Sequence, residues 1–371
     1  MTEQIRKLRL GLSKNKGRKV AVLGAGSFGT TFGKILADAG NDVTIWARRH
    51  EIANEIQVAK RNSKYLPGIN LPKGLQATSD LPQALQGAQM VFLAVPSSTV
   101  RETLKSIKPY LQQSTILVSL IKGVEQKTNL RISEIIADTI TIESERIAVV
   151  SGPNIALEIA QEQPTAAVAS CVDEDIAKEV AIACTADYFR TYVNTDVVGT
   201  ELGGVLKNLI ALAIGIVDGV GYGENTKAAI ITRGLAEMTD FAVGLGANPA
   251  TMSGLAGLGD LITTCQSPLS RNNTAGRLIG QGYSLEETLE QMSQTAEGIT
   301  SVTPVLAIAK ERGIKMPIVE QVQMVLEQQM RPKDLGPHLT TEDAVPIPEV
   351  IKPAGQKSGF RGLFNKLRGR G

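Results

Sequence analysis

Lys207 and Asn208 stand side by side in a stretch, Leu202 to Val217, whose other residues are all apolar or glycine. An ammonium in such a place can do one of two things. It can run its aliphatic stem to the surface and keep its charge in water. Or it can stay partly desolvated, with a lowered pKa that lets it give or take a proton near neutral pH. Further along, Gly257 and Gly259 free the backbone around Asp260, and Ser270-Arg271-Asn272 groups a hydroxyl, a guanidinium and an amide. That trio fits a phosphate, with one charge-assisted fork and two neutral donors; it also fits a solvated loop. Lys122, in "SLIKG", follows an apolar run and is either a surface turn lysine or a group at the ligand-binding edge of a sheet.

Gly24-Ala25-Gly26-Ser27-Phe28-Gly29 is a GxGxxG between the apolar run "RKVAVL" and a helical pattern. In that context Gly24 permits a tight turn, Gly26 lets backbone approach a diphosphate, and Gly29 lets helix and strand pack closely. The diphosphate then meets a helix N-terminus. At the end of the second apolar run, where an NAD site shows a carboxylate, this chain has Arg48-Arg49-His50. Two guanidinium groups suit a 2′-phosphate, so NADP(H) is expected, and nearby Glu51 keeps NAD(H) possible. "SGPNIA" places a Gly-Pro turn at another strand end, able to hold cofactor or substrate, and "TAEGI" is a candidate second cofactor contact.

The elements that must position these groups follow from the apolar pattern. "RKVAVL", "DVTIWAR", "AQMVFLAVPS", "STILVSLIKG", "RIAVVSGP" and "TAAVAS" read as strands, with helical stretches at Phe28–Ala39 and Ser98–Leu111. Strands alternating with helices imply parallel βαβ units. From Asp196 to about Gln329 the pattern is helical. The expected class is α/β: an N-terminal Rossmann-type domain (18–195) on a mostly parallel sheet, then an all-α substrate domain (196–331). A basic extension is expected before it (1–17), and a flexible basic one after it (332–371), rich in proline and charge.

Composition narrows the chemistry. The chain has 371 residues, a hydrophobic share of 43% and a formal charge of +2. Residues 1–19 and 352–371 each carry +6, so the body between them carries −10, which argues against nucleic acid as a partner of the body. Only His50 and His338 are histidines, which disfavours a His-based triad or a zinc site, so no metal is expected. Cys171, Cys184 and Cys265 are widely spaced, as reduced cytosolic thiols are. There is no apolar leader, and the apolar run around Lys207 falls short of the roughly 20 residues a membrane span needs.

Taken in order, "GAGSFGT", "LIKG", "SGPNIA", "ELGGVLKN", "GLGDLITTC", "SPLSRN" and "AEG" make the chain resemble the bacterial-type NAD(P)-dependent glycerol-3-phosphate dehydrogenases over residues 18–330. The resemblance implies reversible reduction of dihydroxyacetone phosphate to sn-glycerol 3-phosphate, for glycerophospholipid synthesis, by a cytoplasmic homodimer. It implies cofactor contacts at Ser27, Phe28, Arg48, Arg49, His50, Lys122, Ala156, Arg271, Thr295 and Glu297. Substrate would meet Lys122, Gly152, Asn154, Asn208, Ser270, Arg271 and Asn272. Lys207 would be the proton donor and acceptor, helped by Asp260, with Lys122 polarising the carbonyl. Asn154 stands where the family usually has Ser or Thr, and Phe28 where it often has Trp or Tyr. Rival expectations are a two-domain reductase acting on a β-hydroxy acid or ketopantoate, which the phosphate-fitting trio disfavours, and a non-catalytic NADP(H) sensor, which would not need Lys207 with Asp260. In "SGFRGLFNKLRGRG", Phe360, Leu363, Phe364 and Leu367 have helical spacing among basic residues. That segment is either a disordered basic tail or a peripheral contact with an anionic membrane.

Overall fold

The structure, a computed structural model, describes residues 17–292 and 296–341. The N-terminal extension up to residue 16, Thr295 and the C-terminal segment from 342 onward lie outside the described residues.

Eight strands form one sheet: β1 (Lys19–Leu23), β2 (Asp42–Trp46), β3 (Gln76–Thr78), β4 (Met90–Leu93), β5 (Ile116–Ser119), β6 (Ile147–Ser151), β7 (Thr165–Ser170) and β8 (Phe189–Asn194). Their spatial order is β3-β2-β1-β4-β5-β6-β7-β8. Every neighbouring pair is parallel except β6–β7. The order reverses between β1 and β4, the place where doubly wound sheets open a ligand crevice. The central strands are apolar apart from Lys19 at the start of β1 and Ser119 at the end of β5, because both faces are covered. Phe32 on one covering helix packs 5.5 Å from Phe92 and 5.9 Å from Phe189, ring centre to ring centre.

Two strands escaped the sequence pattern. β3 is three residues long and β8 buries fully only Phe189, so neither offers an apolar run to read. Both lie at the sheet's edges, where one side chain in two or fewer needs to be apolar.

The helices that build the site are α1 (Ser27–Asp38), α2 (Ile132–Ile140), α3 (Val197–Val220), α4 (Asp260–Gln266), α5 (Arg271–Gly280) and α6 (Glu297–Arg312). α3 is the axis of the helical region and is buried over nearly its whole length. It is longer than the apolar run suggested, because Thr200 and Glu201 are buried in it too, against polar partners. By length and composition it would pass as a membrane span, yet it is enclosed by the protein's own helices.

α3 and α5 cross in backbone contact. A methyl at Gly215 would lie 2.2 Å from the Asn273 carbonyl oxygen, and one at Gly276 would lie 2.2 Å from that of Leu212. Only glycine allows so close an approach, and it brings the "SRNN" segment onto the helix that carries Lys207.

The extension expected from residue 332 does not start there. Pro332–Thr341 forms a further helix, α7, in which Leu335 is fully buried. The Tyr222 hydroxyl donates to the Lys333 carbonyl at 2.8 Å. Proline at its first turn favours a helix start, and Leu335 helps to dock it, a signal too small to stand out against charge and proline.

Candidate active site

β1 delivers the chain to Gly24, whose φ of +116° is a left-handed conformation that suits glycine. A methyl there would lie 2.5 Å from the Ala94 carbonyl oxygen, and one at Gly29 would lie 2.0 Å from that of Gly24. Gly26 differs: nothing lies within 4 Å of the place a methyl would take. Gly26 also precedes α1, and no side chain caps that helix. An open cradle at an uncapped N-terminus fits a diphosphate. Two residues that pattern reading missed hold it. Buried Asn62 donates to the Ala25 carbonyl at 2.9 Å and to Thr30 Oγ1 at 2.8 Å. The Tyr65 carbonyl accepts the Ser27 hydroxyl at 2.6 Å. Both sit in a polar, unperiodic stretch with nothing local to mark them. Phe28 is half-buried, edge-on to Phe32.

Past the end of β2, Arg48 is exposed, and Arg49 donates to the Tyr65 hydroxyl at 2.6 Å with its guanidinium over the same ring. His50 Nδ1 lies 3.2 Å from the Ser79 hydroxyl. Tyr65 thus bonds to both expected cofactor regions, the glycine turn through its carbonyl and the basic corner through its hydroxyl.

The lysines converge on one carboxylate. Asp260 is fully buried in the first turn of α4, directly after a π-helical turn, Leu255–Gly259. Lys122 Nζ donates to Asp260 Oδ2 at 2.6 Å and to the Gly152 carbonyl at 2.9 Å. Lys207 Nζ donates to Asp260 Oδ1, and to Thr264 Oγ1 at 2.8 Å. Lys207 therefore does not snorkel. Burial pushes its pKa down to about 7; the Asp260 charge opposes that fall and the Lys122 ammonium adds to it. Thr264 was missed by pattern reading, although it lies one helical turn after Asp260 and so shares its face.

The glycine pair in "ELGGVLKN" makes this convergence possible. A methyl at Gly203 would lie 2.3 Å from the Ala256 carbonyl oxygen, in the turn that carries Asp260. One at Gly204 would lie 2.9 Å from Ser151 Oγ and 3.2 Å from Lys122 Cγ. Gly203→Ala should therefore separate α3 from the Asp260 turn, cost about 1–3 kcal/mol of stability, and lower turnover as well. Thermal melts with kinetics on the same preparation check this; an unchanged melt would contradict the close packing.

Around this centre, Gly152 has a φ of +139°. Both polar atoms of the Asn154 side chain are buried without a hydrogen-bond partner among the described residues, as is Ser151 Oγ. The Ala156 carbonyl accepts the Thr31 hydroxyl at 3.1 Å, joining this segment to α1. Ser270 caps α5, its hydroxyl oxygen accepting the Asn273 N–H at 3.2 Å. Asn272 donates to Asn208 Oδ1 at 2.9 Å and accepts the Gly298 N–H at 2.8 Å. Asn208 in turn donates to the Gly204 carbonyl at 3.2 Å. The trio is thus not three idle donors. Ser270 retains its hydroxyl proton and Asn272 a second amide proton, while exposed Arg271 brings the charge. The Glu297 carboxylate lies close enough to act on the Arg271 charge. Glu297 Oε2 accepts the Ser97 hydroxyl at 2.8 Å, a bond from α6 to the loop after β4 that no sequence signal marked.

One set of bonds and close contacts therefore unites Lys122, Gly152, Lys207, Asn208, Asp260 and Asn272. A second unites Ser27 and Arg49 through Tyr65.

Comparison with known proteins adds a family context. The family described as the N-terminus of NAD-dependent glycerol-3-phosphate dehydrogenase matches residues 19–177, and its C-terminal counterpart matches residues 196–336. A glycerol-3-phosphate dehydrogenase (NAD(P)+) of Leifsonia xyli is 65% identical over 322 residues, 87% of each chain. One from Streptomyces griseus is 52% identical over 328 residues, 88% of this chain and 98% of the relative. The crystal structure of glycerol-3-phosphate dehydrogenase from Coxiella burnetii is similar with a TM-score of 0.82 at 34% identity, covering 88% of this chain and 98% of that one.

Proposed function

The chain belongs to the NAD-dependent glycerol-3-phosphate dehydrogenase family, and from that premise we propose how its residues divide the work of the reaction. The reaction is the reversible, NAD(P)-linked reduction of dihydroxyacetone phosphate to sn-glycerol 3-phosphate, which feeds glycerophospholipid synthesis. Lys207 gives and takes the proton, Asp260 orients its amine, and Lys122 polarises the substrate carbonyl. The observation that carries this reading is the single buried carboxylate bonded through its two oxygens to two ammonium groups.

When bound, the reduced nicotinamide supplies the hydride to the ketone carbon. As charge develops on the ketone oxygen, the Lys207 ammonium donates its proton there and attracts the oxyanion until it does so. In the reverse direction the free amine takes the hydroxyl proton. The Asp260 carboxylate and Thr264 hold the amine in one orientation through the transfer, and Lys122 keeps a second positive charge beside the same oxygen. Arg271, Ser270 and Asn272 bind the phosphate, with Gly152, Asn154 and Asn208 beside the rest of the triose. The open turn at Gly26, with Ser27 and Phe28, holds the diphosphate, and Arg48, Arg49 and His50 hold the 2′-phosphate of NADP(H), the preferred cofactor. Ala156, Thr295 and Glu297 complete the cofactor site.

The test is a kinetic panel with NADPH and NADH on dihydroxyacetone phosphate, ketopantoate and a β-keto acid, read by nicotinamide absorbance. Turnover of dihydroxyacetone phosphate alone supports this reading. Preference for another substrate, or cofactor binding without turnover, defeats it. Arg48→Ala/Arg49→Ala should raise the NADPH Kd by about 10- to 100-fold, as expected for lost charge-assisted bonds, and the NADH Kd much less. Equal losses would remove the 2′-phosphate role. The protein works as a cytoplasmic homodimer, and a peripheral contact of its basic C-terminal segment with anionic membrane is the alternative to a tail that binds nothing. Vesicle co-sedimentation of the full chain against residues 1–341 tests the membrane contact, and equal behaviour rejects it.

A further inference from the structure

Glu201 lies on α3 six residues before Lys207, roughly 9 Å along the axis. Its side chain is only 1% exposed and takes no part in the proton chemistry above. Its carboxylate is fully occupied. Oε1 accepts the Ser133 backbone N–H at 2.8 Å, and Oε2 accepts the Ser133 hydroxyl at 2.6 Å and Arg131 Nη1 at 2.7 Å. A side chain on α3 thus caps the first turn of α2, which belongs to the sheet region.

Arg131 is also tied back to the loop that carries Lys122. It pairs with Val124 in an antiparallel bridge, and the Glu125 N–H donates to the Leu130 carbonyl at 3.0 Å. The segment from Lys122 to Arg131 is therefore a closed loop. Its outgoing leg begins at Lys122, and its returning leg is clamped to α3 by Glu201. One rigid helix carries both Lys207 and the anchor for the loop that presents the other amine. A buried ion pair is a weak source of stability compared with apolar packing, but its hydrogen bonds are directional.

We propose that Glu201 and Arg131 are positioning residues, which hold the Lys122 ammonium against Asp260 by fixing the Lys122–Arg131 loop to the helix that bears Lys207. This inference rests on the roles given above to Lys122 and Lys207. It has a consequence that ordinary packing would not have. The Lys122 ammonium helps to lower the pKa of Lys207. Loosening the loop removes part of that repulsion, so Lys207 should titrate at higher pH. The other titratable groups facing Lys207 are on α4: Asp260 itself, and Cys265, whose thiol burial pushes up to about 12 and so stays neutral. From α5 and α6, Arg271 and Glu297 act on each other. Glu237, on the helix after α3, is turned to the backbone N–H groups of Ile318 and Val319.

The test uses the full chain with Glu201→Gln, Arg131→Gln and Lys122→Met. Two readouts apply: the pH profile of kcat, and NMR titration of lysine side chains labelled at Cε in the free protein. The second does not depend on activity. Glu201→Gln should move the Lys207 titration upward, in the direction Lys122→Met moves it, and lower kcat about 10- to 100-fold, the scale of a small misplacement, with KM little changed. Arg131→Gln, which leaves Glu201 both Ser133 donors, should act in the same direction and serves if Glu201→Gln does not fold. A lowered melt with unchanged titration and unchanged kcat in either folded variant would make the pair structural only and overturn the proposal. If Lys207→Met retains full activity, the reading of the catalytic centre itself fails, and the two failures are thereby told apart.

Discussion

Lys207→Met should lower turnover of dihydroxyacetone phosphate by about 10²- to 10⁴-fold, the loss expected when a general acid is removed, and leave NADPH affinity nearly unchanged. Methionine keeps the length and apolar body of the side chain, so α3 can pack as before. What it lacks is the proton and the charge that meets the developing oxyanion. The glycine turn and Arg49 are held by bonds through Asn62 and Tyr65, not through Lys207. Steady-state kinetics with a fluorescence titration of NADPH separates the two effects. Turnover near that of the parent chain would take Lys207 out of the mechanism.

Asp260→Asn should be nearly as damaging, with a distinct pH signature. The carboxylate opposes the fall in the Lys207 pKa caused by burial and by Lys122. An amide of the same shape removes that opposition, and the pKa drops below the value of about 7 it has in the parent protein. Reduction needs the ammonium, so its rate declines as pH rises through that pKa; oxidation needs the free amine, so its rate increases. With the pKa lowered, reduction near pH 7.5 should fall by about 10²-fold or more, as expected for loss of the acid form and its alignment. Part of it should return on acidification, and the basic limb of the profile should move to lower pH. A profile that drops in height without moving would show that Asp260 orients the amine but does not set its charge.

Some features of this protein are legible in local sequence because their cause is local. The GxGxxG turn is one: Gly24 needs a positive φ, Gly29 needs to touch Gly24, and Gly26 needs empty space, all within six residues of a strand end. The parallel strands are another, since a strand covered on both faces must be apolar throughout. Lys207 stands out by contrast with its neighbours, and two histidines in the whole chain leave little for His-based chemistry. Other features were silent for equally physical reasons. β8 at the sheet edge has one fully buried side chain, Phe189, and α7 is docked in part by Leu335. Asn62, Tyr65, Ser97 and Glu201 act through single long-range bonds that leave no periodic trace.

From its sequence alone, then, the chain determined its fold class, the place of its dinucleotide turn, its family and the identity of the suspect amine, since each depends on backbone sterics, hydrophobic period or an ordered set of motifs. Tertiary structure alone decided where that amine points and what it meets. Lys207 and Asp260 are 53 residues apart and Lys122 and Asp260 are 138 apart. They meet because the paired glycines let α3 touch both the Asp260 turn and Lys122. The charge balance that sets the pKa of the amine comes from burial and from neighbours brought in from distant segments. Neither exists until the two regions have closed on one another.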